Sequence, residues 1–166
     1  MPRQSLVLNA GPLLTFLCLN FLDEQNATKA ERDQALRDVR NGQASDQRRQ
    51  DRMGTFFRAN TLLTTSHAMF EVFRLREGSY LERRSHKFLS SALASAALVE
   101  ERAVLVKDLV DAPYPDLLLR YGLADGGVVW LATREACEMV TDDGSLYRDG
   151  QASSKCQLRM FDACLD

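Results

Sequence analysis

LADGGVVWLATREACEMVTDDGSLY, residues 123–147, is the stretch that decides how this chain folds. An acid, Asp125, precedes an apolar stretch of helical period, with Val128, Leu131, Ala132 and Ala136 on one face. The β-like run CEMVT follows, and then Asp142 and Asp143 before a glycine. A helical period that gives way to a short apolar run is a helix–strand unit of the kind that builds parallel sheets. The carboxylates at its two ends have two readings. They are ordinary cap and turn residues, or they are half of a metal site.

The flanking sequence repeats the pattern. SLVL (5–8) predicts a short buried strand, and Asn9-Ala-Gly-Pro a strand-to-helix turn with Pro12 near the first helical position. Leu13, Leu14, Phe16, Leu17 and Phe21 then make a broadly apolar helix. LLTTS (62–66) predicts a second strand, with Ser66 as N-cap of the helix HAMFEVFRLRE. In that helix Met69, Val72, Phe73 and Arg76 share the helical spacing, and Glu71 lies just off the apolar stripe. A further helix is predicted over 82–97, with Phe88, Leu89, Leu93 and Ala96 facing inward. AALVEERAVLVKDLV (96–110) is compatible with a strand or a continuing helix, broken by Pro113 and Pro115. PDLLLRYG reads as a short helix ending at Gly122, and QLRMFDACLD offers a last edge strand. Strands alternating with helices predict a single domain over 1–166, a three-layer α/β/α fold on a mainly parallel sheet. No internal repeat is visible.

One segment departs from this pattern. Between Asp23 and Arg52 seven acids face seven bases, with few large apolar residues. Leu36 and Val39 are enough to seed one weakly packed helix, and the remainder reads as solvated or mobile. The segment, extending to about residue 55, is expected to be a charged excursion from the domain rather than a second domain.

Composition narrows the function classes. The chain has 166 residues, 45% hydrophobic and 27% charged, with a formal net charge of -2. That balance gives no global pull toward nucleic acid, although a local basic face is compatible with it. Cys18, Cys137, Cys156 and Cys164 form no C-x-x-C pair, which predicts reduced thiols and a cytoplasmic location. His67 and His86 lack zinc-ligand spacing to them. The N-terminal LVLNAGPLLTFLCLNFL is interrupted by Asn9, Gly11, Pro12 and Asn20, short of the roughly 20 clean apolar residues of a membrane span. A buried strand and helix are expected there, with no membrane partner.

Ligands of open α/β sheets bind beyond the carboxyl ends of the strands. Asn9 follows the first strand, Asp143 follows CEMVT, and Glu71 and Asp125 lie near helix starts facing the same edge. Four polar residues far apart in sequence are thereby expected to converge. Such oxygen donors suit Mg²⁺ or Mn²⁺.

These blocks resemble the PIN domain family, the metal-dependent ribonuclease fold of VapC-like toxins. LVLNAGPLL is similar to the family's first acidic block, TTSHAMFEVFRL to its second, LADGGVVWLA to its third and MVTDDGSLY to its fourth. The third and fourth are the most specific, and only the charged segment falls outside the likeness. By that match Glu71, Asp125 and Asp143 take three acidic positions, with Asp142 as a further ligand. Asn9 stands where the family has its first aspartate, and Ala10 replaces the usual Thr or Ser. An amide oxygen can coordinate a metal but brings no charge, so metal affinity is expected to fall.

The resemblance implies a divalent-metal-dependent endoribonuclease, a homodimer and, for a toxin, an antitoxin protein that blocks the cleft. Two other readings stand beside it. One is a catalytically silent PIN-like module that binds RNA or protein, for which Asn9 is the support. The other is an unrelated α/β protein whose acids are caps. The glycines after Asp125, each costing roughly 1 kcal/mol in a helix interior, predict a close approach of backbone or ligand there. Arg74, Arg76, Arg83, Arg84, Lys87, Arg120 and Arg134 are read mostly as solvated helix faces, with phosphate binding as the alternative.

Overall fold

The computed structural model describes residues 3–40, 42, 46–75, 80–110, 115–153 and 156–165. Five short strands, β1 (Ser5–Leu8), β2 (Thr61–Thr65), β3 (Val99–Arg102), β4 (Glu138–Thr141) and β5 (Gln157–Met160), pair in parallel in the order β3-β2-β1-β4-β5. The central strand β1 alternates between two cores: Leu6 and Leu8 enter one cluster and Val7 the other. Burial on both faces is why SLVL is apolar without alternation.

Helices α1 (Ala10–Glu24), α2 (Lys29–Val39), α3 (Gln47–Ala59) and α5 (Ser85–Ala96) supply the first cluster. Helices α6 (Val106–Val110), α7 (Pro115–Arg134) and α8 (Gly144–Ser153) supply the second, and α4 (Ser66–Leu75) gives Val72 to the first and Ala68 to the second. The fold is α/β in three layers, and its sheet is parallel throughout the described residues.

Several expectations are corrected in detail. The charged excursion forms α2 and α3, and neither is loose. Thr28 and Glu31 close a capping box on α2, and Asp46 caps α3. Ala35, Leu36 and Val39 on α2 and Met53 and Phe57 on α3 are buried, a sparse set but at helical spacing. Phe57 meets Phe16 edge-on with ring centres 5.2 Å apart.

In α5 the inward stripe is Phe88, Ser91, Ala92 and Ser95, while Leu89 and Leu93 are exposed. Small residues on that stripe let α5 approach α1 closely, and Phe88 packs edge-on against Phe21. The helix predicted from residue 82 begins as a single 3₁₀ turn, Glu82–Arg84. Residues 96–110 hold both a strand and a helix, β3 and α6. Thr65 rather than Ser66 caps α4, its Oγ1 accepting from the Ala68 amide at 3.2 Å. Val128, Leu131 and Ala132 are buried as the spacing predicts, but Ala136 lies beyond α7 at φ 51°. Arg76 and Pro113 lie outside the described residues.

Helix α7 breaks at Gly122 (φ 80°, ψ -171°), a left-handed conformation that suits glycine. The break folds the first half of α7 back over the second: a Cβ on Gly126 would stand 2.9 Å from Leu118 Cδ1. A Cβ on Gly127 would lie 3.7 Å from Thr65 Oγ1. The close approach predicted at these glycines is made by the protein itself.

Candidate functional site

The carboxyl ends of β1, β2 and β4 share one edge, and each hands its chain directly to a helix. Asn9 caps α1 at the end of β1, its Oδ1 accepting from the Ala10 amide at 2.7 Å. This leaves its Nδ2 to donate outward. It donates to Asp125 Oδ1 at 2.9 Å and to Thr141 Oγ1 at 3.2 Å. The first residue after β1, the last residue of β4 and the second half of α7 are thus tied by one buried amide.

Asp125 uses its carboxylate on Asn9, not as a cap on its own helix. Burial pushes its pKa up to about 6; the Asn9 hydrogen bond opposes this, and the charges of Glu71, Asp143 and Asp142 add to it. Three acids from three other positions therefore act on Asp125, and it forms no ion pair among the described residues. Glu71, one side of α4, pairs with the exposed Arg74 at 3.1 Å.

The two acids after β4 behave differently. Asp143 caps α8, its Oδ1 accepting from the amides of Ser145 (2.7 Å) and Leu146 (3.0 Å), and its own amide donates to Thr141 Oγ1. The turn-and-cap reading of this residue is realised, alongside its charge on Asp125. Asp142 turns the other way, over the first turn of α1. A Cβ on Gly11 would overlap its carboxylate, so the glycine makes room for it. Burial raises the Asp142 pKa; a hydrogen bond from its own backbone and then the Arg40 guanidinium pull it down, and the charges of Asp143 and Asp162 push it up. Arg40 is itself buried, bonded to Asp162 and stacked 5.5 Å from the Phe161 ring centre. Arg49 joins the same Asp162 carboxylate at 2.6 Å.

Thr141, Gly11, Arg40 and Asp162 shape this edge without having been singled out by sequence. Thr141 lies in the block MVTDDGSLY, where a hydroxyl directly before two acids was its signal. Arg40 was hidden among seven bases in a run of mixed charge. The bases proposed to flank the cleft are largely committed elsewhere. Arg84 pairs with Glu31 and stacks on Tyr80, Arg120 pairs with Asp149, and Arg134 lies over Trp130.

The donors at this edge are carboxylate, amide and hydroxyl oxygens, which suit a hard divalent cation in kind. Asp125 is the strongest case, since three like charges press on it. As they stand, the side chains do not close on one point: among the described residues no three of His, Cys, Asp and Glu are placed to hold one ion. The Asn9 amide faces Asp125 with its NH₂, a donor set against an acceptor. Among the described residues no helix is long and apolar enough to cross a membrane. No family model matches the chain, and no curated protein matches it in sequence.

Proposed function

We propose that this acidic edge is a divalent-cation site of PIN type and that the protein is a metal-dependent ribonuclease. One observation carries the reading. Asn9, Glu71, Asp125 and Asp143 come from four separate segments, and Asp125 is bonded to the first and pressed by the charges of the other two. Unrelieved like charge of this sort, at the carboxyl edge of a parallel sheet, is what a bound cation relieves.

Asp125, Glu71 and Asp143 would hold Mg²⁺ or Mn²⁺, with Asp142 next to them. When bound, such a cation lowers the pKa of a water and offsets charge on a scissile phosphate. The chain's own residues do the rest. Asn9 fixes the Asp125 carboxylate by a hydrogen bond and is itself held by the Thr141 hydroxyl, and Asp143 is fixed by the first turn of α8. Asp142 lies over Gly11, where the Arg40 charge acts on it. The same reading takes RNA as substrate, a second copy of the chain as partner and, for a toxin, an antitoxin protein.

Asn9 favours a second reading, a silent PIN-like module that binds RNA or protein. Its NH₂ already supplies Asp125 with the positive end that a cation would supply. One experiment separates the two: RNA cleavage with Mn²⁺ and with Mg²⁺ by this protein, by Asn9→Asp and by Asp125→Ala. Cleavage by this protein and not by Asp125→Ala supports the enzyme as it stands. Cleavage by Asn9→Asp alone makes position 9 a disabling change in a nuclease site. Silence of all three supports the binding module.

A further inference from the structure

The opposite edge of the sheet holds a pair of thiols. β4 and β5 are in register from Glu138↔Gln157 to Thr141↔Met160. One step earlier, that register sets Cys137 beside Cys156. Both cysteines are half-buried, both pack against the same cluster beneath α7 and α8, and both line one cavity of about 550 Å³. Residues paired across parallel strands project to the same face. Neighbouring strands lie about 4.8 Å apart, and disulfides span Cα separations of roughly 4.4–6.8 Å.

We propose that Cys137 and Cys156 are an oxidisable dithiol whose disulfide fastens the edge strand β5 to β4. The partner in the reaction is a two-electron oxidant such as a diazene, a peroxide or a low-molecular-weight disulfide. With a diazene, one thiolate adds to the N=N bond. The second thiolate then attacks the bound sulfur and expels the hydrazine. Two thiols lose two protons and two electrons, one S–S bond forms, and the oxidant gains two hydrogens. The Cys137 thiol donates to the Glu135 carbonyl at 3.3 Å, and burial together with the Glu135 charge holds its pKa above the usual thiol value. Oxidation is therefore slow near neutrality and quickens as pH rises. The loop so closed carries β4, Asp142, Asp143 and α8.

The test uses the full chain and diamide. Reagent-accessible thiols in denaturant should fall from four to two. After tryptic digestion, the fragment 135–148 should be joined to the fragment 156–159 within one chain. The melting temperature should rise by roughly 5–10 °C, the gain from closing a loop of this length. Cys137→Ser and Cys156→Ser should each abolish the link, and the paired change Cys18→Ser, Cys164→Ser should keep it. A link that involves Cys164, a link between two chains, four persisting thiols, or a melting temperature that does not rise would each overturn the proposal. None of these readouts depends on RNA cleavage.

Discussion

Asp125 and Asp142 sit at the same sheet edge, the first half-buried and the second exposed, and both feel like charge, but only Asp142 also feels a cation. Around Asp125 stand an amide and three other acids. Beside Asp142 stands a buried guanidinium, itself anchored by Asp162 and Phe161. One half of the edge has a cation built into the chain, and the other half has none. A carboxylate with its own arginine gains little from a metal ion, whereas one pressed only by like charge gains most. On the proposed reading, the metal-binding work falls to the Asp125 half rather than to the Asp142 half.

The strongest attempt to break this contrast is Asn9→Asp. It replaces the donor 2.9 Å from Asp125 with a second carboxylate. In metal-free buffer the fold should lose about 2–3 kcal/mol. Mn²⁺ should restore the melting temperature, and RNA cleavage should rise at least about 100-fold over the parent. A variant whose melting temperature ignores Mn²⁺ would show that the Asp125 half does not bind a cation.

Next comes Arg40→Met, which removes the built-in cation. Stability should fall by about 2 kcal/mol, because the buried Arg40 gives up its ion pair with Asp162 and its stacking on Phe161. Mn²⁺ should then stabilise this variant more than the parent. Chemical denaturation with and without the metal measures both effects.

Asp125→Asn is a smaller change with a distinctive pH signature. A carboxyl whose folded pKa lies above its unfolded value stabilises the fold fully below the unfolded pKa. That stability is lost as pH rises through the folded one. For Asp125 the window runs from about 4, the unfolded value, to about 6. In chelator-containing buffer, Asp125→Asn should gain about 1–2 kcal/mol at pH 7.5 and nothing at pH 4. An equal gain at both pH values would mean that charge is not what strains this position.

Glu71→Gln should be the mildest. Its ion pair with exposed Arg74 contributes only a few tenths of a kcal/mol, so stability should barely move. Calorimetric Mn²⁺ affinity of the Asn9→Asp background should still fall several-fold. No fall would remove Glu71 from the site.

Sequence carried the sheet well and the edge in part. Parallel strands buried on both faces must be apolar runs, so SLVL and CEMVT were readable, and Gly122 marked the break in α7. The α2–α3 layer was not readable, because its burial rests on a handful of residues spaced correctly within a highly charged run. The α5 stripe was misread because serines at 91 and 95 serve close helix packing, where size matters more than hydropathy. At the site, the acids were legible as blocks of sequence. The cap at Asp143 was legible too, but the Asn9–Asp125 bond and the Arg40 charge on Asp142 were not, because they arise between distant segments.

The place of β1 at the centre of the sheet also governs when the chain can fold. Leu6 pairs with Leu62 on one side and with Glu138 on the other, so one flank closes over 56 residues and the other over 132. At ribosomal rates of about 5–20 residues per second, the second flank waits on the order of ten seconds for its partner strand. Through that interval SLVL and the apolar α1 have no complete layer to bury them. Pairings so distant in sequence also slow the search itself. The nascent chain is therefore expected to be a chaperone client until residue 141 has emerged.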